Sequence, residues 1–179
     1  EARWKSLDEW KSAAREVLLE RLGYQPSARP PGAEGVRREE RDGFSVEVVR
    51  IHATEAYSIP ARVLVPAGKA GRRPAVLALH CHSGRYTWGH EKVLSAPGEP
   101  AFLTTFREGT YARPWAEALA RRGYVVIAID AFYFGERRLR VEDLDPARVF
   151  PEVRDAHATV RRTPPGSEEW TAAVNKDRK

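Results

Sequence analysis

RPAVLALHCHSG, residues Arg73–Gly84, decides how the rest of this chain is read. Pro74 leads into five apolar residues, Ala75 to Leu79, and the run then breaks into His80, Cys81, His82, Ser83 and Gly84. A short apolar run without alternation suits a strand buried on both faces, as in the interior of a parallel sheet. In open α/β sheets, ligands meet the protein just beyond the carboxyl ends of such strands. A fixed strand therefore carries a cluster of polar side chains on a glycine-ended turn.

Downstream, Pro114 begins a helix with Trp115, Ala116, Leu119 and Ala120 on one stripe, and Gly123 closes it. Tyr124–Ile129, YVVIAI, is a second continuous apolar strand and ends in Asp130. Strand, helix and strand in this order form a βαβ unit, for which a parallel pair is the default. As the last strand, 124–129 is expected to leave an unpaired apolar edge. Between Gly84 and the helix, Arg85–Thr110 reads as a long irregular segment, a length usually tied to function.

Upstream, Phe44–Ile51 and Tyr57–Val65 have strand composition, with Pro60 suiting an edge position. They are expected to pair antiparallel at the sheet edge. Gln25–Gly35, rich in Pro and Gly, reads as an extended connector. Leu7–Leu22 is an amphipathic helix with Asp8 and Glu9 in its first turn and Gly23 as its cap. Towards the C-terminus, Glu142–Thr163 has helical composition without clean periodicity. Ser167 then caps a further helix, with Glu168 and Glu169 in its first turn, that is still running at Asn175.

Composition narrows the function classes. The 42% hydrophobic and 31% charged residues belong to an ordinary globular chain, and 179 residues suffice for one substantial core. No apolar run approaches the roughly 20 residues of a membrane-spanning helix. The net charge of +5 raises the question of nucleic acid. However, its arginines alternate with acids, as in Arg37-Arg38-Glu39-Glu40-Arg41-Asp42, instead of forming a patch of one sign. Neither a nucleic-acid nor a membrane partner is expected. Cys81 is the only cysteine, so no intrachain disulfide forms, and the expected compartment is the cytoplasm, a removed leader aside.

The ordered combination of an antiparallel strand pair, P-A-V-L-A-L-H with its polar turn, the helix Y-A-R-P-W-A-E-A-L-A-R-R-G-Y, V-V-I-A-I-D and G-E-R-R resembles the first half of an α/β-hydrolase. Within that fold it is similar to dienelactone-hydrolase-like and acetyl-xylan-esterase-like serine esterases. The resemblance covers Phe44–Arg138 and, more loosely, Gly166–Asn175. It implies an α/β fold with a mostly parallel sheet, antiparallel edge strands and an N-terminal helix, incomplete in this chain. It also implies one domain over 1–179, with helix and connector in 1–42 and the first sheet elements in 43–179.

In such enzymes the loop after the equivalent strand supplies a backbone N–H to the oxyanion hole. Carried over, the donors are His82 and Ser83, and His80, Tyr86, Trp88, Tyr133 and Arg137 border the substrate. Asp130 is expected to organise neighbouring loops. The G-x-S-x-G turn that carries the nucleophile is absent: Ser6, Ser12, Ser27, Ser45, Ser58, Ser83, Ser95 and Ser167 all lack that context. The expected protein is therefore the N-terminal part of a longer esterase whose nucleophile, acid and base follow Lys179. It would take a small-molecule ester, use no cofactor and need its C-terminal half as a partner, with self-association left open. Two other readings stand beside it: a non-catalytic binding module on the same framework, and a zinc hydrolase using His80, His82 and His90.

Overall fold

In the computed structural model, the described residues are 3–23, 30–55, 57–68, 71–138, 140, 145, 147, 151, 154–164 and 167–177. The chain divides into two compact units, 1–31 and 32–179. The first contains helix α1, Leu7–Leu22. Ser6 accepts a hydrogen bond from the Glu9 N–H, and Gly23 closes the helix at φ 60°. Both ends fall where the sequence places them.

The second unit is built on a five-stranded sheet in the order β1-β2-β3-β5-β4. Its strands are β1 (Gly32–Arg41), β2 (Phe44–His52), β3 (Ser58–Pro66), β4 (Ala75–Ala78) and β5 (Val125–Ile129). Among the described residues, β1–β2, β2–β3 and β3–β5 are antiparallel and β4–β5 alone is parallel. The sheet is thus mixed and mostly antiparallel, not mostly parallel as expected. One reason is β1, which occupies part of the segment read as a connector, while residues 25–29 of that segment lie outside the described residues. Its sequence, GAEGVRREER, is polar on both faces, and nearly every position is exposed.

The expected β2–β3 pair is present, but β3 lies inside the sheet. Pro60 is tolerated there because pairing with β5 begins only at Ala61, so at Pro60 the strand has only β2 beside it. β5 is also interior, so the unpaired edge falls on β4 and not on β5.

One face of the sheet holds the core. α3 (Trp115–Arg121) and the turn that runs into Val93 and Leu94 bury Phe44, Val46, Leu64, Ala78, Ala116, Ala120, Val126 and Ala128. Each large side chain buried this way contributes about 1.5–3 kcal/mol. β5 alternates between fully and partly buried positions. In β4 only Ala78 is buried, and Leu77 and Leu79 are 58% and 59% exposed. The reading of both strands as buried on two faces is therefore corrected, because among the described residues that cover lies on one face.

The segment 85–110 is more ordered than expected. It forms a 3-10 turn at His90–Lys92 and the helix α2, Ala101–Tyr111. Buried Arg107 fastens α2 by donating to the Glu91 carbonyl at 2.6 Å and to the Glu99 carboxylate. At α3 the proline serves as the N-cap and not as the first helical residue, while Gly123 follows the helix at φ 96°. α4 (Arg154–Arg162) and α5 (Glu168–Asp177) pack together through Val160, Trp170 and Ala173. Ser167 Oγ accepts from the Trp170 N–H at 3.1 Å, which is the expected cap. Much of 142–153 lies outside the described residues.

Candidate active site

The carboxyl ends of the parallel pair β4 and β5 carry the site. His80 joins them. Its Nε2 accepts from the Ala131 N–H at 2.9 Å, so Nδ1 carries the proton and donates to the Cys81 carbonyl at 3.0 Å. Burial, with Lys92 nearby, lowers the His80 pKa despite the opposing hydrogen bond to Cys81. His82 takes the other tautomer: Nδ1 accepts from the Gly84 N–H at 3.0 Å, and Nε2 donates to Tyr86 Oη at 2.7 Å. Both rings pack edge-on against Phe134, at 4.9 and 5.6 Å.

All four ring nitrogens of His80 and His82 are thus engaged within the protein. A zinc site on His80, His82 and His90 gains no support from this arrangement. Among the described residues, the group whose ligand atoms lie within 4.8 Å of one another is His90, Asp130 and Glu136. There the Asp130 carboxylate is already filled by donors.

Asp130 is 1% exposed. Oδ1 accepts from the His90 N–H at 2.6 Å and from His90 Nδ1 at 2.8 Å, and Oδ2 accepts from the Glu136 N–H at 2.7 Å. Burial pushes this carboxyl up, but the bonds and charge of His90 outweigh it and the pKa is lowered. For His90, burial opposes the imidazolium, yet the hydrogen bond to Asp130 and the Glu91 and Asp130 charges leave its pKa raised. A side chain on Gly89 or Gly135 would strike the carboxylate, with Cβ 2.0 and 2.3 Å from its oxygens. Asp130 therefore ties two loop segments, at Gly89–His90 and Gly135–Glu136, to the end of β5.

The turn after β4 has a distinctive backbone. Ser83 and Gly84 both take positive φ, 50° and 64°. The Cys81 N–H donates to Tyr111 Oη at 3.1 Å, and the Gly84 N–H is taken by His82. Between them, the N–H groups of His82 and Ser83 have no acceptor among the described residues, and both residues are exposed.

Lys92, a residue the sequence reading passed over, lies inward of this turn. It is 0% exposed, and its Nζ donates to the Cys81 and His82 carbonyls, at 3.1 Å each, and lies 4.6 Å from the centre of the Phe134 ring. Burial lowers its pKa to about 8. No simple sequence signal marks it, because a single lysine in an irregular segment ordinarily reads as solvated.

The expected border residues divide. Tyr86 is held by His82 and stacks on Phe134 at 4.8 Å. Trp88 packs on Phe102 at 5.6 Å, and its buried Nε1 has no acceptor among the described residues. Tyr133, at φ 68°, is exposed and meets Phe132 at 4.3 Å. Arg137 donates to Tyr57 Oη and to the Asp130 carbonyl, each at 2.8 Å, so it braces the β5 end. Glu136, in turn, pairs with Arg62 at 2.8 Å. His90 also lines a cavity of about 330 Å³ with Arg37, Arg41, Arg62 and Glu91, and neither His82 nor Ser83 borders it.

Comparison with known proteins agrees with this architecture. No family model matches the chain. It is 31% identical over 143 residues to the "Putative hydrolase YtaP" of Bacillus subtilis (strain 168), a stretch covering 80% of this chain and 43% of that protein. A solved structure of a "putative acetyl xylan esterase (BF1801)" from Bacteroides fragilis NCTC 9343 aligns with a TM-score of 0.56 at 18% identity, covering 99% of this chain and 44% of the other. The chain carries part of an esterase-like hydrolase fold. A glucuronoyl esterase from Solibacter usitatus aligns with a TM-score of 0.46 at 16% identity, over 84% of this chain and 45% of that one. The chain spans less than half the length of each of these proteins. No helix among the described residues is long and apolar enough to cross a membrane.

Proposed function

We propose that this chain is the N-terminal part of a serine hydrolase that cleaves carboxylic esters by acyl transfer. The observation that carries the reading is the pair of adjacent N–H groups of two exposed residues, His82 and Ser83, without acceptors among the described residues at the carboxyl end of β4. Donors aimed at the developing oxyanion strengthen as charge builds in the tetrahedral intermediate. Loss of one such donor costs about 2.7–4 kcal/mol of transition-state stabilisation. The nucleophile, its histidine and its acid come from a segment beyond Lys179, which also supplies the strand that pairs with the free edge of β4. Exposed Leu77 and Leu79 are then covered by that segment.

In this reading Tyr86, Trp88 and Tyr133 form the wall of the acyl or alcohol pocket. His80, both of whose ring nitrogens are engaged inside the protein, holds that wall in place, and Arg137, braced through Nε and Nη1, borders it on the substrate side. The protein acts on a small ester and needs neither metal nor cofactor. The direct test is turnover of short p-nitrophenyl esters by the full-length protein, together with the sequence that follows residue 179. Hydrolysis abolished by replacing the serine of a downstream G-x-S-x-G supports the proposal. A full-length sequence without that motif, or one with it and no turnover of any ester offered, removes it in favour of a binding module.

A further inference from the structure

We infer that Lys92 is a positioning residue that turns the His82 and Ser83 N–H groups outward by holding the two carbonyls that precede them. This rests on the oxyanion reading of that turn and adds a residue to it. No cis peptide bond is present among the described residues, and in a trans peptide the C=O and the following N–H point in opposite directions. Holding the Cys81 carbonyl therefore fixes the direction of the His82 N–H, and holding the His82 carbonyl fixes that of the Ser83 N–H. Lys92 Nζ holds both, at 3.1 Å each.

Along an extended chain successive N–H groups alternate, whereas here two successive carbonyls converge on one Nζ, so the N–H groups that follow them turn together to the opposite side. Ser83, the next residue of the turn, takes φ 50°. A non-glycine residue held there is strained and needs its surroundings to hold it. The Cys81 carbonyl also accepts from His80 Nδ1 at 3.0 Å and the His82 carbonyl from the Arg85 N–H at 3.4 Å, but among the described residues the buried ammonium is the donor that engages both, and its other near neighbour is the Phe134 ring, which accepts a cation on its face. Lys92 touches neither substrate nor reacting atoms. Its charged and titratable neighbours are Cys81, Glu91, Asp130 and Arg85, with His80 close by.

The test uses the full-length protein and p-nitrophenyl acetate. K92M is expected to lower kcat about 100-fold, the scale of a misplaced catalytic group, with KM changed less than about threefold. The wild-type kcat should also fall as pH rises past about 8, where Lys92 loses its charge. K92R stays charged, so it should recover part of the K92M loss and lack that alkaline decline. Wild-type kcat in K92M, or a loss confined to KM, overturns the proposal. If K92M does not fold, the alkaline limb decides: its persistence in K92R overturns the proposal, and its absence there supports it. If the wild-type protein turns over no ester, the oxyanion reading fails separately. The positioning role is then decided by crystal structures of the wild type at pH 6 and pH 10. Carbonyls 81 and 82 turning away from Lys92 at high pH supports it, and carbonyls unmoved overturns it.

Discussion

Two buried charges sit at neighbouring strand ends of the same sheet, and the protein holds them in opposite ways. At the end of β5, Asp130 is met by the His90 ring and by two backbone N–H groups, so its carboxylate oxygens are filled by donors. At the end of β4, Lys92 has the carbonyls of Cys81 and His82 and no ion-pair partner among the described residues. The pKa shifts follow from this. Partners outweigh burial at Asp130 and His90, so each is held more firmly in its charged form, whereas burial wins at Lys92. The first charge belongs to the architecture of the fold. The second is held against its own desolvation, and what it secures is the direction of a short stretch of backbone.

The largest break in that comparison comes from removing the compensated charge. D130N keeps the shape but leaves His90 with a neutral partner and the Glu136 N–H with a weaker acceptor. Breaking one side of a buried pair costs about 3–5 kcal/mol, and that loss is expected in urea unfolding of the full-length protein. K92M should differ in kind: the desolvation of an uncompensated ammonium disappears, so stability changes far less than turnover does. Equal losses of stability in the two variants would mean that both charges are architectural.

Next in size is steric intrusion on the same carboxylate. G135A places a Cβ 2.3 Å from Asp130 Oδ2, at a backbone φ of 50° that favours glycine. Overpacking of this kind costs about 1–3 kcal/mol, read as a lowered melting temperature. Gly84, also at positive φ but with open space around it, isolates the conformational part. G84A should lose less than G135A, and a reversed order would show that the Asp130 cradle yields.

The same contrast governs how much the sequence disclosed. Asp130 was legible because a carboxylate ending an apolar strand has few alternatives, and the histidine cluster stood out beside a glycine turn. α1 was legible to the residue because Ser6 and Gly23 cap it. Features that depend on tertiary surroundings were not legible. β1 has polar residues on both faces, so no alternation marks it. α2 buries only Leu103 and Arg107 among its described residues, and a buried arginine is one that hydrophobic periodicity does not count. The apolar run of β4 reads the same whether its second face is covered or open. The burial of Lys92 depends on the space left beneath a loop, and local sequence does not encode that space.

The smallest effect gives the sharpest test, because the two charges should tilt stability in opposite directions with pH. His90 has a raised folded pKa, so between its unfolded value near 6.5 and its folded one the native state binds the extra proton. Stability then falls as pH rises through that window. Lys92 is lowered from 10.5 to about 8, so between those values the unfolded state binds the extra proton and stability rises with pH. On the acid side, Asp130 has a lowered pKa, and its contribution is lost as pH drops below about 3.8 towards the folded value. Each slope is bounded by one proton, about 1.4 kcal/mol per pH unit. Urea unfolding across the pH range should show a decline as pH rises past about 6.5 that H90Q removes, and a recovery above pH 8 that K92M removes. A K92M protein that keeps the alkaline recovery would place the titrating group elsewhere, and the contrast between the two strand ends would fail.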